Sequence, residues 1–171
     1  MSFNPNQSGV VTAYIALGSN LANPLRQMHD AFEELARLAQ SRLAARSSLY
    51  RSAPVSYLNQ PDFINAVAGI ETALEPHALL TALLEIERRH GRVRDFDNAP
   101  RTLDLDLLLY GDLIRHEHGL TLPHPRMHER AFVLQPLLEI APDCVIPGIG
   151  RVADLLVGCA KQKLEKLVEA G

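Results

Sequence analysis

The order of hydrophobic periods along the chain narrows its possible folds more than any other feature. Residues 10–17 form an apolar run closed by Gly18-Ser19-Asn20, the pattern of a buried strand. Asn23-Pro24 then opens a helix, because proline fits the first helical position. Leu25, Met28, Phe32, Leu35 and Leu38 recur at helical spacing to about Ala39. A second strand is expected over residues 42–50 and a third over 62–71, separated by a long loop, 51–61. Pro76 starts a second helix reaching about His90, and a charged stretch, 91–100, leads into a fourth strand. A short hairpin over 113–122, a helix over 129–140 and a helical C-terminus complete the pattern. The order β-α-β-β-α-β predicts an α+β domain, a ferredoxin-like antiparallel sheet with helices packed on it. A length of 171 residues suits one domain, here residues 11–171 behind a short flexible tail, 1–10.

The fourth strand carries an electrostatic oddity. In Pro100-Arg101-Thr102-Leu103-Asp104-Leu105-Asp106-Leu107-Leu108-Leu109-Tyr110, leucines alternate on one side and two aspartates share the other. Side chains two apart on a strand lie about 7 Å from each other on one face. Like charges so placed repel, and Asp is depleted in strands. A cation over the pair would offset that cost. Mg²⁺ is one candidate, since it takes one or two carboxylates and completes its shell with water and substrate phosphates. The arginines upstream are the other, in a plain surface ion-pair network.

Arg88, Arg89, Arg92, Arg94 and Arg101 are five of fourteen arginines and flank a loop without an apolar anchor. Such a loop fits a lid over a polyphosphate. It also fits a solvated network with Glu87, Asp95 and Asp97, and on the residues alone both readings stand. All three lysines (Lys161, Lys163, Lys166) fall in the expected C-terminal helix. Any anion held by the body of the chain would therefore meet Arg, His, backbone N–H groups or a metal. A net charge of −3 argues against a general nucleic-acid or anionic-membrane binder. No apolar run is long enough to span a membrane, and the N-terminus has no signal-peptide pattern. Cys144 and Cys159 are isolated, as in a cytoplasmic protein with free thiols. His116, His118, His124 and His128 crowd one stretch, but Pro125 disfavours helix at His124, against a zinc H-x-x-x-H pair. A lone His124 contacting phosphate from a proline-flanked loop is the better reading.

Phe63 and Asn65 share one face of the third strand, while Ile64, Ala66, Ala68 and Ile70 take the other. An aromatic and an amide left on the non-core face could stack on and hydrogen-bond a flat heterocycle; ordinary packing is the alternative for Phe63, as for Phe132. The chain has neither a G-x-x-x-x-G-K-[ST] nor a G-x-G-x-x-G phosphate loop.

Several segments, in order and spacing, resemble the 6-hydroxymethyl-7,8-dihydropterin pyrophosphokinase family. They are Tyr14-Ile15-Ala16-Leu17-Gly18-Ser19-Asn20-Leu21, Tyr50-Arg51-Ser52-Ala53-Pro54-Val55, Gln60-Pro61-Asp62-Phe63-Ile64-Asn65-Ala66, Gly91-Arg92-Val93-Arg94, Pro100 to Asp106, and Leu122-Pro123-His124-Pro125. The resemblance implies transfer of the β,γ-pyrophosphoryl group of ATP to a pterin hydroxymethyl group, releasing AMP, in folate synthesis. It implies two Mg²⁺ ions at Asp104 and Asp106, and Arg92 and Arg94 on a closing loop, so that Arg92, Arg94, Asp104 and Asp106 form the catalytic set. Glu87, Arg94, Arg101, His124 and Arg130 would serve ATP. Ser52, Ala53, Pro54, Val55, Phe63, Asn65 and Phe132 would hold the pterin. Many members carry Arg-Trp-Gly-Pro-Arg where this chain has Asp97-Asn98-Ala99-Pro100-Arg101, so the loop tryptophan is missing. A cytoplasmic monomer working on ATP and 6-hydroxymethyl-7,8-dihydropterin, without nucleic acid or membrane, is expected. Another Mg²⁺-dependent phosphotransferase or phosphohydrolase would use the same aspartates and arginines. A non-catalytic ferredoxin-like module is the third class.

Overall fold

The computed structural model describes residues 3–21, 23–54, 59–91 and 102–168. Val55, Arg92, Arg94 and Arg101, all expected at the site, lie outside the described residues. The first half of the chain forms β1 (Val11–Ser19), α1 (Pro24–Ala36), β2 (Ser41–Arg46), β3 (Tyr50–Ser52), β4 (Phe63–Thr72) and α2 (Pro76–Arg89). Next come β5 (Asp104–Tyr110), the hairpin β6 (Arg115–Glu117) and β7 (Leu120–Leu122), and a 3₁₀ turn at Met127–Glu129. The chain continues with α3 (Ala131–Ile140), β8 (Val145–Ile146), β9 (Gly150–Arg151), α4 (Val152–Val157) and β10 (Leu164–Lys166).

The main sheet runs β10-β3-β4-β1-β5, with β2 also paired to β4. Every pairing in it is antiparallel. Taking β2 and β3 together as the second strand of the split unit, the order is fourth-first-third-second, the ferredoxin-like arrangement.

Two layers of helix cover the sheet. On one face α1 buries Met28, Ala31, Phe32 and Leu35, a stripe at helical spacing. On the same face α2 contributes Leu79, Leu83 and Ile86. Both pack on Ala13, Ile15 and Leu17 of β1 and on Ile64, Ala66, Ala68 and Ile70 of β4. The other face is covered by α3, whose Val133, Leu134 and Leu137 pack with Val67, Leu108, Leu109 and Val152.

Four expectations are corrected. The single second strand is two, because Ser47 leaves the ladder: its N–H donates to Val67 O and its Oγ accepts from Val67 N, both at 2.9 Å. A serine hydroxyl that bonds backbone groups in this way competes with regular pairing. On β5 the leucines alternate only as far as Leu107. Tyr14 pairs with Leu109 and Ile15 with Leu107, so Leu108 is the extra residue of a β-bulge. Leu108 and Leu109 thus pack on the α3 side with the aspartates' face, while Leu103, Leu105 and Leu107 join the α1/α2 core.

The third and fourth corrections concern the C-terminal part. The helix expected over 129–140 begins at Ala131, behind the 3₁₀ turn. The C-terminus is not one helix: α4 has six residues, and Lys161 and Lys163 sit in the turn before β10. Lys166 lies in β10 itself, which pairs with β3 through Leu164↔Ser52 and Lys166↔Tyr50. Three strand residues carry too little alternation to be distinguished from helix by period.

Candidate active site

The polar residues expected at the site converge on the α3 face at one end of the sheet. The register sets this out row by row. Gly18 pairs with Asn65 on β4 and with Asp104 on β5. One step inward, Ala16 pairs with Val67 and Asp106. Asn65 and Asp104 are thus two strand spacings apart, roughly 10 Å, across a central strand whose side chains at this end of the face, at Gly18 and Ala16, are small. A Cβ at Gly18 would meet Asn65 Oδ1 at 3.6 Å, so the glycine opens room directly between amide and carboxylate.

The amide is held in a fixed orientation. Asn65, 5% exposed, donates from Nδ2 to Ser52 Oγ at 2.6 Å. With Nδ2 so engaged, Oδ1 is turned toward Gly18. Ser52 pairs with Phe63, which places serine, phenylalanine and asparagine on the same corner of the sheet. Ala53 is exposed and Pro54 half-buried at the end of β3. Glu139 of α3 ties down the base of that strand, accepting from Ser48 N at 3.0 Å, Ser48 Oγ at 2.8 Å and Tyr50 OH at 2.5 Å. Burial acts to raise the Glu139 pKa, but these hydrogen bonds outweigh it and the net direction is down.

Asp104 and Asp106 are each half-buried on this face of β5. Behind them, α2 presents Glu87, 2% exposed, whose Oε1 accepts the backbone N–H of Leu105 at 3.2 Å. The N–H that lies between the two aspartates in sequence is thereby satisfied on the open edge of the sheet. Among the described residues no group of three or more His, Cys, Asp or Glu could enclose a metal ion. Two carboxylates on one strand, with the remaining ligands left to water and substrate oxygens, fit Mg²⁺ rather than a closed protein cage.

His124 lies in the loop after β7, its backbone N–H bonded to Leu108 O at 2.9 Å. Burial, with Arg130 and Arg126 adding to it and Asp104 opposing, pushes its pKa down to about 4. The ring is therefore neutral near pH 7. Its Nδ1 accepts the N–H of Arg126 at 3.2 Å, which leaves the proton on Nε2, available to donate to an anion. Arg130 occupies the N-cap position of α3, and its guanidinium sits 5.5 Å from the centre of the Phe132 ring. His124, Arg130, Phe132 and Asp104 thus belong to one neighbourhood. His116 and His118 lie apart from it, on and beside the β6-β7 hairpin.

Sequence reasoning missed three features. In the sequence Ser19 and Asn20 read as a strand stop, yet they are 0% and 2% exposed. Ser19 Oγ donates to Thr102 O, and Asn20 Nδ2 donates to Gln60 Oε1 at 2.7 Å and Pro61 O at 3.1 Å. They rivet the end of β1 to the segments entering β5 and β4. Glu139 gave no signal, being one acid among many on a helix. The turn before β10 was also missed: Lys161 and Lys163 line a cleft of about 580 Å³ together with Ser52, Arg126, Arg130 and Phe132.

Comparison with known proteins bears on the whole arrangement. Residues 14–142 match the family model described as 7,8-dihydro-6-hydroxymethylpterin-pyrophosphokinase (HPPK). The chain is 48% identical to the 2-amino-4-hydroxy-6-hydroxymethyldihydropteridine pyrophosphokinase of Haemophilus influenzae, over 92% of this chain and 99% of that protein. It is 46% identical to the Pseudomonas aeruginosa protein of the same name, over 90% and 95%. Among solved structures, Plasmodium falciparum HPPK-DHPS with pteroate superposes with a TM-score of 0.69 at 13% identity. That match covers 87% of this chain but only 42% of the Plasmodium chain, and it speaks to the fold. With most of its length matched at this level of identity, the chain belongs to the 7,8-dihydro-6-hydroxymethylpterin-pyrophosphokinase family.

Proposed function

We propose that this chain transfers the β,γ-pyrophosphoryl group of ATP to the hydroxymethyl oxygen of 6-hydroxymethyl-7,8-dihydropterin, a step of folate synthesis. The observation that carries the reading is the row Asn65–Gly18–Asp104. It sets a heterocycle-reading amide and a metal-suited carboxylate pair about 10 Å apart on one sheet face. That span suits a pterin on one side and a polyphosphate on the other, their reacting atoms meeting over Gly18 and Ala16.

In the reaction the pterin hydroxyl oxygen bonds to the β-phosphorus of ATP. The bond from that phosphorus to the α,β-bridging oxygen breaks, AMP departs, and the hydroxyl proton passes to solvent. Asn65, oriented by Ser52, would read the pterin edge together with the loop residues Ala53, Pro54 and Val55, with Phe63 and Phe132 stacking on the ring. Such positioning turns a bimolecular encounter into an intramolecular one. Asp104 and Asp106 would hold Mg²⁺, two ions in our reading, which would neutralise charge on the transferring group. Arg130 and the Nε2–H of His124 would add donors on the phosphate side, with Arg92, Arg94 and Arg101 as further cations. Glu87, buried behind β5, would serve ATP by fixing the strand that carries the aspartates.

We take residues 11–171 as one catalytic unit; the pairing of β10 with β3 supports including the C-terminal segment. A cytoplasmic monomer is the expected form. No helix among the described residues is long and apolar enough to cross a membrane. Incubation with ATP, Mg²⁺ and the reduced pterin should give AMP and the pterin diphosphate in equal amounts. An ordinary kinase would give ADP instead, and a phosphohydrolase would release AMP or ADP without the pterin.

A further inference from the structure

The C-terminal turn is held against the site by contacts that are specific in direction. Gln162 Nε2 donates to Glu129 O at 2.7 Å, and its Oε1 accepts from Ala131 N at 2.9 Å. One side chain thus bridges the last residue of the 3₁₀ turn and the first residue of α3, on either side of Arg130. Two residues later, Leu164 pairs with Ser52. Leu167 N–H then bonds Leu49 O at 2.8 Å. Lys161 and Lys163 flank the glutamine and are carried with it to the wall of the cleft that Ser52, Phe132, Arg126 and Arg130 complete.

The charge there is lopsided. Among the described residues four cations line the cleft, and Glu129 is the acid beside them. Its carboxylate lies 3.7 Å from His128 Nε2. Among the described residues, Lys161, Lys163 and Arg126 take part in no ion pair. This excess sits in a chain whose net charge is −3, and it borders the N-terminus of a ten-residue helix, which favours anions further. Beside the cations stand a buried hydroxyl, Ser52, and an aromatic ring, Phe132. A cleft with a flat apolar part and a cationic part is shaped for a heterocycle that carries phosphate. A volume of about 580 Å³ lies in the range of small-ligand sites.

We infer that Lys161 and Lys163 form, with Arg126, an anion subsite that holds the diphosphate of the pterin product, an inference that rests on the pyrophosphokinase reading. The substrate alcohol is neutral at this end and gains nothing from the lysines. The product carries a diphosphate at the same carbon and does. The subsite therefore separates product affinity from substrate affinity, and it belongs to the last step of the cycle rather than to chemistry at the aspartates.

The test is calorimetric titration of the full chain and of a Lys161→Gln/Lys163→Gln variant. The titrants are the pterin diphosphate, the pterin alcohol and inorganic pyrophosphate, each without Mg²⁺. Both lysines are exposed, so the variant should keep the thermal midpoint of the parent. Product and pyrophosphate affinity should each fall about tenfold, with affinity for the alcohol unchanged, as expected for two lost charge-assisted contacts. Glu129→Gln should shift affinity for both anions the other way. Equal losses for product and alcohol, or no loss for either anion, would overturn the inference; so would a loss for pyrophosphate alone. Release of AMP is measured separately on the parent chain. Failure there breaks the functional reading, whereas the pyrophosphate titration still reports whether the lysines bind an anion.

Discussion

The two faces of the central sheet are built by the same strands and obey different rules. On the α1/α2 face the inward positions of β1 and β4 are apolar along the middle of both strands: Ala13, Ile15 and Leu17 on one, Ile64, Ala66, Ala68 and Ile70 on the other, with the buried polar Ser19 and Thr72 at the strand ends. Two amphipathic helices close over them. On the α3 face, apolar packing stops partway along. Val67, Leu108 and Leu109 are covered by α3, and beyond them the same strands present Asn65, Gly18, Asp104 and Asp106. One face spends its side chains on burial. The other leaves a polar corner whose groups are oriented by hydrogen bonds rather than by packing, and that corner is where chemistry is possible.

The comparison is broken most severely by a change that affects one face only in activity and the other only in stability. Asp106→Ala should lower kcat by about a thousandfold, the several kcal/mol expected for losing one carboxylate of a metal pair. Its thermal midpoint should change little beside that of a core variant, because Asp106 is half-buried on the polar corner rather than packed in the core. A steady-state assay beside a melting curve checks both. Leu83→Ala on the opposite face should do the reverse. Opening a cavity at a fully buried leucine costs about 2–5 kcal/mol, a drop of roughly 5–15 °C in a domain of this size. Its kcat, measured well below the midpoint, should stay within about twofold of the parent.

A smaller effect is expected where the faces meet the backbone. Glu139→Gln keeps the shape but weakens the acceptor for Ser48 and Tyr50, at a cost of about 1 kcal/mol. Since Tyr50 and Ser52 lie on one short strand, KM for the pterin should rise more than KM for ATP. Equal changes in both would deny that Glu139 acts through β3. The effect that is smallest at neutral pH, because it appears only in acid, concerns His124. Its folded pKa, about 4, lies below the ordinary 6.5. The native state therefore binds fewer protons than the unfolded chain between those values, and stability rises with pH across that window. The contribution is complete above about pH 6.5 and is lost as pH falls through 4. His124→Gln should flatten that part of the midpoint-against-pH curve, and the histidine's NMR shifts should titrate near pH 4.

How much of this was legible in the sequence depends on whether a residue's role is periodic. The strands themselves followed from runs such as Ile64-Ala66-Ala68-Ile70, whose alternation reports one buried face, and the ferredoxin-like sheet from the order of strands and helices along the chain. The aspartates were legible because two like charges on a strand are costly, and Asn65 because an amide stood opposite an apolar row. The break at Ser47 was not legible, since it depends on a hydroxyl reaching the backbone of β4, twenty residues away. Nor was the bulge at Leu108, because a leucine fits either face. Lys161 and Lys163 read as part of a C-terminal helix, and the pairing of β10 with β3 together with the bonds of Gln162 brings them to Ser52 and Arg130. The roles expected of Arg92, Arg94 and Arg101 rest on their clustering in the sequence and on the resemblance, and that of Val55 on the resemblance alone.

The most direct test of the polar corner's role is a single-turnover reaction of the full chain with ATP, Mg²⁺ and 6-hydroxymethyl-7,8-dihydropterin, with nucleotides separated by chromatography. One AMP should form per pterin diphosphate, with no ADP, and the Asp106→Ala variant should give neither product on the same timescale. Formation of ADP, or AMP released at an undiminished rate by the variant, would contradict the assignment of pyrophosphoryl transfer to the corner between Asn65 and the aspartates.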